Sequence, residues 1–131
     1  MFVWHTAHDC VAEVIFLWSL ITGSLAKAAA DMSLLSSTEI AEAFEPPSGG
    51  KDTSSTLPQK TNPIYSAQVL ACANVLGQST ALALRSMRQT HERSGEGMIE
   101  FPLVADAYRK TLRALEKMQI IATGISVDVQ K

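Results

Sequence analysis

Between residues 54 and 63 the chain reads Ser54-Ser55-Thr56-Leu57-Pro58-Gln59-Lys60-Thr61-Asn62-Pro63. Two adjacent hydroxyls, an ammonium and a carboxamide fall close together, just ahead of a helix start signalled by Asn62-Pro63. Such a set could support negative charge. Lys60 supplies a cation, Asn62 supplies hydrogen bonds, and the N-terminus of the following helix adds the positive end of its dipole. A serine is a poor base at its ordinary pKa and needs surroundings of this kind to accept a proton. By composition alone the stretch 46–62 reads as a flexible linker, holding three of the chain's five prolines beside a glycine pair. The order of its residues says more than their composition.

That order resembles the signature Gly-Ser-Ser-x-Met-Pro-x-Lys-x-Asn-Pro of the fumarase/aspartase superfamily. The superfamily takes in fumarases, aspartases, argininosuccinate and adenylosuccinate lyases, and carboxymuconate cycloisomerases. Ser54, Ser55, Pro58, Lys60, Asn62 and Pro63 match at the family's spacing, while Thr53 replaces the leading Gly and Leu57 the Met. The resemblance implies cofactor-free removal of a proton next to a carboxylate, with elimination or addition at the neighbouring carbon. The intermediate is then a doubly charged aci-carboxylate that needs cationic and hydrogen-bonding support. By the same resemblance Ser54 is the base, Ser55 the fallback for that role, and Thr56, Lys60 and Asn62 bind substrate. Thr53 in place of Gly restricts the backbone where the family's loop flexes over substrate.

Two further stretches point to a branch. Trp4-His5-Thr6-Ala7-His8-Asp9 resembles the Trp-His-Thr-Gln-Arg-Asp segment of carboxymuconate cycloisomerase relatives, with Ala7 and His8 in place of Gln and Arg. His91-Glu92-Arg93, then Gly95 and Glu100-Phe101, resembles the His-Glu-Arg…Gly…Glu-Trp segment of the same branch. His5, Thr6, His91 and Arg93 are thereby further substrate-binding candidates. The plainer readings are solvated histidines at a helix start and a charged helix end. Adenylosuccinate lyases also carry His-Glu-Arg, but continue into a serine-rich run ending in Glu-Arg that grips a nucleotide phosphate. Here Ser94-Gly95-Glu96-Gly97 places a glutamate there and no second arginine. The cycloisomerase-like branch is favoured, with an adenylosuccinate lyase-type enzyme as the alternative. A second alternative is a non-catalytic helical oligomerisation module derived from such a lyase, which the departures at Thr53, Ala7 and His8 favour.

The elements that must position these residues are helices. Residues of about 9–37 lack proline and are dominated by Ala, Leu, Ile, Val and Met, with Asp9 able to cap the start. A short helix is expected over 38–44, ending before Pro46-Pro47. After the 46–62 loop comes a helix of about 63–93, with no charged residue from Thr61 to Leu84. A helix without a charged face needs other helices around it. Ser94-Gly95-Glu96-Gly97 breaks it, and a third helix spans about 100–124. There Val104, Tyr108, Leu112, Leu115, Met118 and Ala122 recur at helical spacing as the expected buried face. No strand is expected. The fold class is all-α: long antiparallel helices of a central helical-bundle domain, with the Ser/Gly/Pro-rich active-site loop between the first two. The resemblance covers the middle of the family's protein, so its N-terminal and C-terminal domains are expected to be absent from residues 1–131.

Composition narrows the remaining classes. The 131 residues carry a formal net charge of −2, with 18% charged and 47% hydrophobic residues. Lys and Arg are scattered, with no basic block to suggest nucleic acid. Cys10 and Cys72 stand apart in apolar stretches without metal-ligand spacing and are expected as buried thiols in a reducing compartment. The charge-free run Val14 to Ala26 is shorter than the roughly 20 residues a membrane span needs. No metal or other cofactor, no nucleic acid and no membrane are expected. The expected partners are a carboxylated small molecule and further copies of the chain, a tetramer in the family. The expected location is the cytoplasm.

Overall fold

Long proline-free runs of strong helix formers need only a neighbour against which to bury one stripe. The structure, a computed structural model that describes residues 7–49, 62–88 and 96–128, supplies it with three helices. They are α1 (Asp9–Leu35), α2 (Ile64–Ser86) and α3 (Glu100–Gly124), the last entered through a 3₁₀ turn at Glu96–Ile99. Three packed clusters fix their directions. One joins Ala12 and Ile15 to Leu76 and Ala83 and to Leu103 and Ala107. A second joins Ala29, Val69, Cys72 and Ala114, and a third Met32, Ala43 and Ile121, with Tyr65 against it. The start of α1 therefore meets the end of α2 and the start of α3. α2 runs antiparallel to the other two.

Alanine supplies much of this core, which lets the helices approach closely. Between α1 and α2 the Ser19 and Thr80 hydroxyls lie 2.7 Å apart, fixing the register of the pair. The large apolar side chains often face outward instead: Phe16, Leu17, Leu20 and Ile21 on α1, and Val75, Leu82 and Leu84 on α2 are exposed. By length and composition both α1 and α2 could cross a membrane, a test that core helices of a bundle also pass.

Several expectations are corrected. α1 ends at Leu35, and 38–44 is not a helix. The chain turns there, with Ala41 at φ +49° and its N–H bonded to the Ser37 carbonyl at 2.8 Å. That left-handed residue stops helical propagation. Beyond it β1 (Ala43–Phe44) pairs antiparallel with β2 (Ser126–Val127), a two-residue ladder where no strand was expected. On α3 the buried stripe is Leu103, Ala107, Thr111, Ala114 and Ile121, whereas Tyr108, Leu112, Leu115 and Ala122 are exposed. Small residues make up the middle of that stripe, with Leu103 and Ile121 toward its ends. Cys10 is exposed, while Cys72 is buried. Asp9 is the first residue of α1 rather than its cap, and His8 at the cap position makes no side-chain capping bond.

Candidate functional site

The site is best built from the first turn of α2, where the signature run ends. Asn62 and Pro63 were expected to cap and open this helix. Instead α2 starts at Ile64, with Pro63 at the cap position and no side-chain capping bond from it. The N–H groups of the first turn are nonetheless all engaged. Ile64 N–H bonds the Asn62 carbonyl at 2.8 Å. Tyr65 N–H donates to Glu45 Oε2 at 2.9 Å and Ser66 N–H to Glu45 Oε1 at 2.7 Å. The Ser66 hydroxyl, with Ser66 fully buried, donates to the same oxygen at 2.5 Å.

A carboxylate thus sits on the positive end of α2, as the helix dipole favours. It comes from the chain itself, from the segment that leads into the 46–62 stretch. The sequence expectation that this helix end helps hold a substrate anion is therefore corrected: its amides already have an acceptor. Asn62 lies on the wall of a cleft of about 240 Å³ with Ser36, Phe44, Glu45 and Pro63. Ser54, Ser55, Thr56 and Lys60 lie outside the described residues, as do His5, Thr6, His91 and Arg93.

The flanking segments meet elsewhere. His8 Nδ1 pairs with Glu100 Oε2, tying the start of α1 to the start of α3. His8, read from sequence as a solvated histidine, is half-buried and partnered. This end of the bundle is opposite the cleft, separated by the 27 residues of α1, about 40 Å at 1.5 Å per residue. Among the described residues, Asn62 and the His8–Glu100 pair therefore stand at opposite ends of the bundle. Among the described residues no cluster of His, Cys, Asp and Glu could hold a metal ion.

Sequence reasoning missed Glu45 and Ser66. A glutamate before Pro46-Pro47 carries no local sign that it will cap a helix twenty residues on.

The comparisons agree on a family. A profile described as Lyase matches residues 3–77. A 3-carboxy-cis,cis-muconate cycloisomerase of Bradyrhizobium diazoefficiens is 39% identical over 98% of this chain and 29% of its own length. Trans-aconitate decarboxylase 1 of Mycosarcoma maydis is 40% identical over 95% of this chain and 25% of that protein. Among solved structures, the 3-carboxy-cis,cis-muconate lactonizing enzyme of Pseudomonas putida superposes with a TM-score of 0.84 at 36% identity. It does so over 95% of this chain and 27% of that one. The chain spans between a quarter and a third of the length of these relatives.

Proposed function

The chain belongs to the lyase family of the fumarase/aspartase fold, and from that premise we propose that it is the central helical domain of a carboxymuconate cycloisomerase-like enzyme. Ser54 abstracts the proton next to a substrate carboxylate, with Ser55 as the fallback. Thr56, Lys60 and Asn62 hold the carboxylate, and His5, Thr6, His91 and Arg93 contribute from the other segments. The reaction is elimination, addition or lactone ring closure without a cofactor. The observation that carries this reading is the signature run Ser54 to Pro63 leading directly into α2. The relatives' names favour the cycloisomerase branch over an adenylosuccinate lyase-type activity.

The separation of the cleft from the His8–Glu100 end supports a site shared between subunits. The chain on its own is therefore inactive, and a homo-oligomer, a tetramer as in the family, assembles the site in the cytoplasm. The test is a chimera of the Bradyrhizobium relative in which this chain replaces the matching segment. Turnover of 3-carboxymuconate by the chimera, with none by the 131-residue chain, is the expected result. A chimera that assembles but is inert points instead to a non-catalytic oligomerisation module, the reading that Thr53, Ala7 and His8 favour. Turnover by the chain alone overturns the claim that it is incomplete.

Self-association follows from the same faces. Phe16 and Leu17 on α1 are each 49% exposed and Val75 on α2 is 46% exposed, apolar surface that supports an interface there. Analytical ultracentrifugation is expected to show dimers or larger species at micromolar concentration. A compact, stable monomer contradicts the assembly reading.

A further inference from the structure

The cap on α2 could have come from a local Ser, Asn or Asp, which would satisfy the helix equally well. A cap drawn from twenty residues upstream does something a local one cannot. It joins the segment that enters the signature run to the segment that leaves it. The entering segment is itself fixed from α3's side. Ala43 and Phe44 pair with Val127 and Ser126, and Asp128 N–H bonds the Glu42 carbonyl at 2.9 Å. Next to Glu45, Pro46 lies so close to Gly124 that a Cβ there would come within 2.7 Å of Pro46 Cβ. Real side chains do not approach so closely, so Gly124 is what lets α3's end seat Pro46. From this anchored segment Glu45 reaches across to α2, one oxygen on Tyr65 N–H and the other on Ser66 N–H and O–H.

We propose that Glu45 is a positioning residue of the proton-abstracting site: its carboxylate cross-links the two stems of the signature run and sets where Asn62 stands relative to the end of α3. The proposal rests on reading that run as catalytic, and Glu45 itself takes no part in the proton transfer. Glutamine at 45 keeps the shape but offers one acceptor and one donor where two backbone N–H groups converge, so the cross-link is lost at one oxygen.

The experiment has two arms. In the 131-residue chain, hydrogen exchange of the Tyr65 and Ser66 backbone amides is followed by ¹⁵N NMR at one pH. Both are expected to be protected by their bonds to Glu45, and Glu45→Gln to speed exchange of at least one of them about tenfold or more; exchange of both amides unchanged by Glu45→Gln overturns the cross-link. In the chimera, Glu45→Gln is expected to lower kcat about tenfold or more with KM changed less than threefold, and Glu45→Asp to recover part of the loss. Gly124→Ala, which displaces Pro46 from the other side, is expected to lower kcat as well. Its effect combines with Glu45→Gln to less than the product of the two, because both disturb one stem. A lower melting temperature with unchanged kcat and KM in the folded enzyme leaves Glu45 a structural cap only and overturns its positioning role. The two readings fail differently. A chimera inert with the unmutated segment removes the catalytic reading and this role together, whereas an active chimera indifferent to Glu45→Gln removes only the role.

Discussion

Ser54→Ala is expected to lower kcat of the cycloisomerase chimera by about 10²- to 10⁴-fold, the range for loss of a positioned general base. Ser55→Ala beside it is expected to cost roughly tenfold or less. A serine accepts the substrate's proton as its alkoxide, which becomes the hydroxyl, and that alkoxide must be stabilised by nearby positive charge. The first turn of α2 does not offer that charge freely, because the Tyr65 and Ser66 amides face the Glu45 carboxylate. Lys60 is the one charged residue of the signature run, and on the proposed reading Lys60→Met is expected to lower kcat by a similar factor. Exchange of the substrate's acidic proton with deuterated solvent separates this step from departure of the leaving group. Ser54→Ala is expected to suppress both exchange and turnover, whereas a defect confined to the leaving-group step would spare the exchange. Near-normal turnover in Ser54→Ala, with collapse in Ser55→Ala, would transfer the base role to Ser55.

The parts of the molecule legible in the sequence are those decided by local chemistry. Absence of proline, strong helix formers and the charge-free stretch from Thr61 to Leu84 together announce long helices packed among others. The order Ser-Ser-x-x-Pro-x-Lys-x-Asn-Pro points to the lyase family that the profile and the relatives show. What could not be read was decided between elements. On α3, Leu112 and Leu115 outrank Ala107 and Ala114 in hydrophobicity, yet the alanines are the ones packed against α1 and α2. Segment 38–44 has helix-forming residues, but the turn at Ala41 and the ladder to Ser126 and Val127 overrule them. Glu45 is the sharpest case. A helix cap is ordinarily sought next to the helix, and this one is delivered by tertiary structure from before the loop.

Leu76→Ala is expected to destabilise the folded chain by about 3 kcal/mol, within the range for deleting a buried leucine side chain. For a chain of this size that lowers the melting temperature by about 10 °C. Leu76 is fully buried where the start of α1, the end of α2 and the start of α3 converge, among Ile15, Ala83, Leu103 and Ala107. Alanine neighbours have no side chain long enough to fill the space left behind, so little of the cavity can close. Leu20 on α1 removes the same atoms when changed to alanine but is 52% exposed. Leu20→Ala is therefore expected to change the stability of the isolated chain by roughly 0.5 kcal/mol or less, in line with surface sites. Its cost appears in assembly, as a sedimentation midpoint moved to higher protein concentration. Chemical denaturation at two protein concentrations separates the cases. The loss in Leu76→Ala is largely independent of concentration, and that in Leu20→Ala grows as association is favoured. A large, concentration-independent loss in Leu20→Ala would mean that the outer face of α1 is covered within its own chain, and the shared-site reading would lose its support.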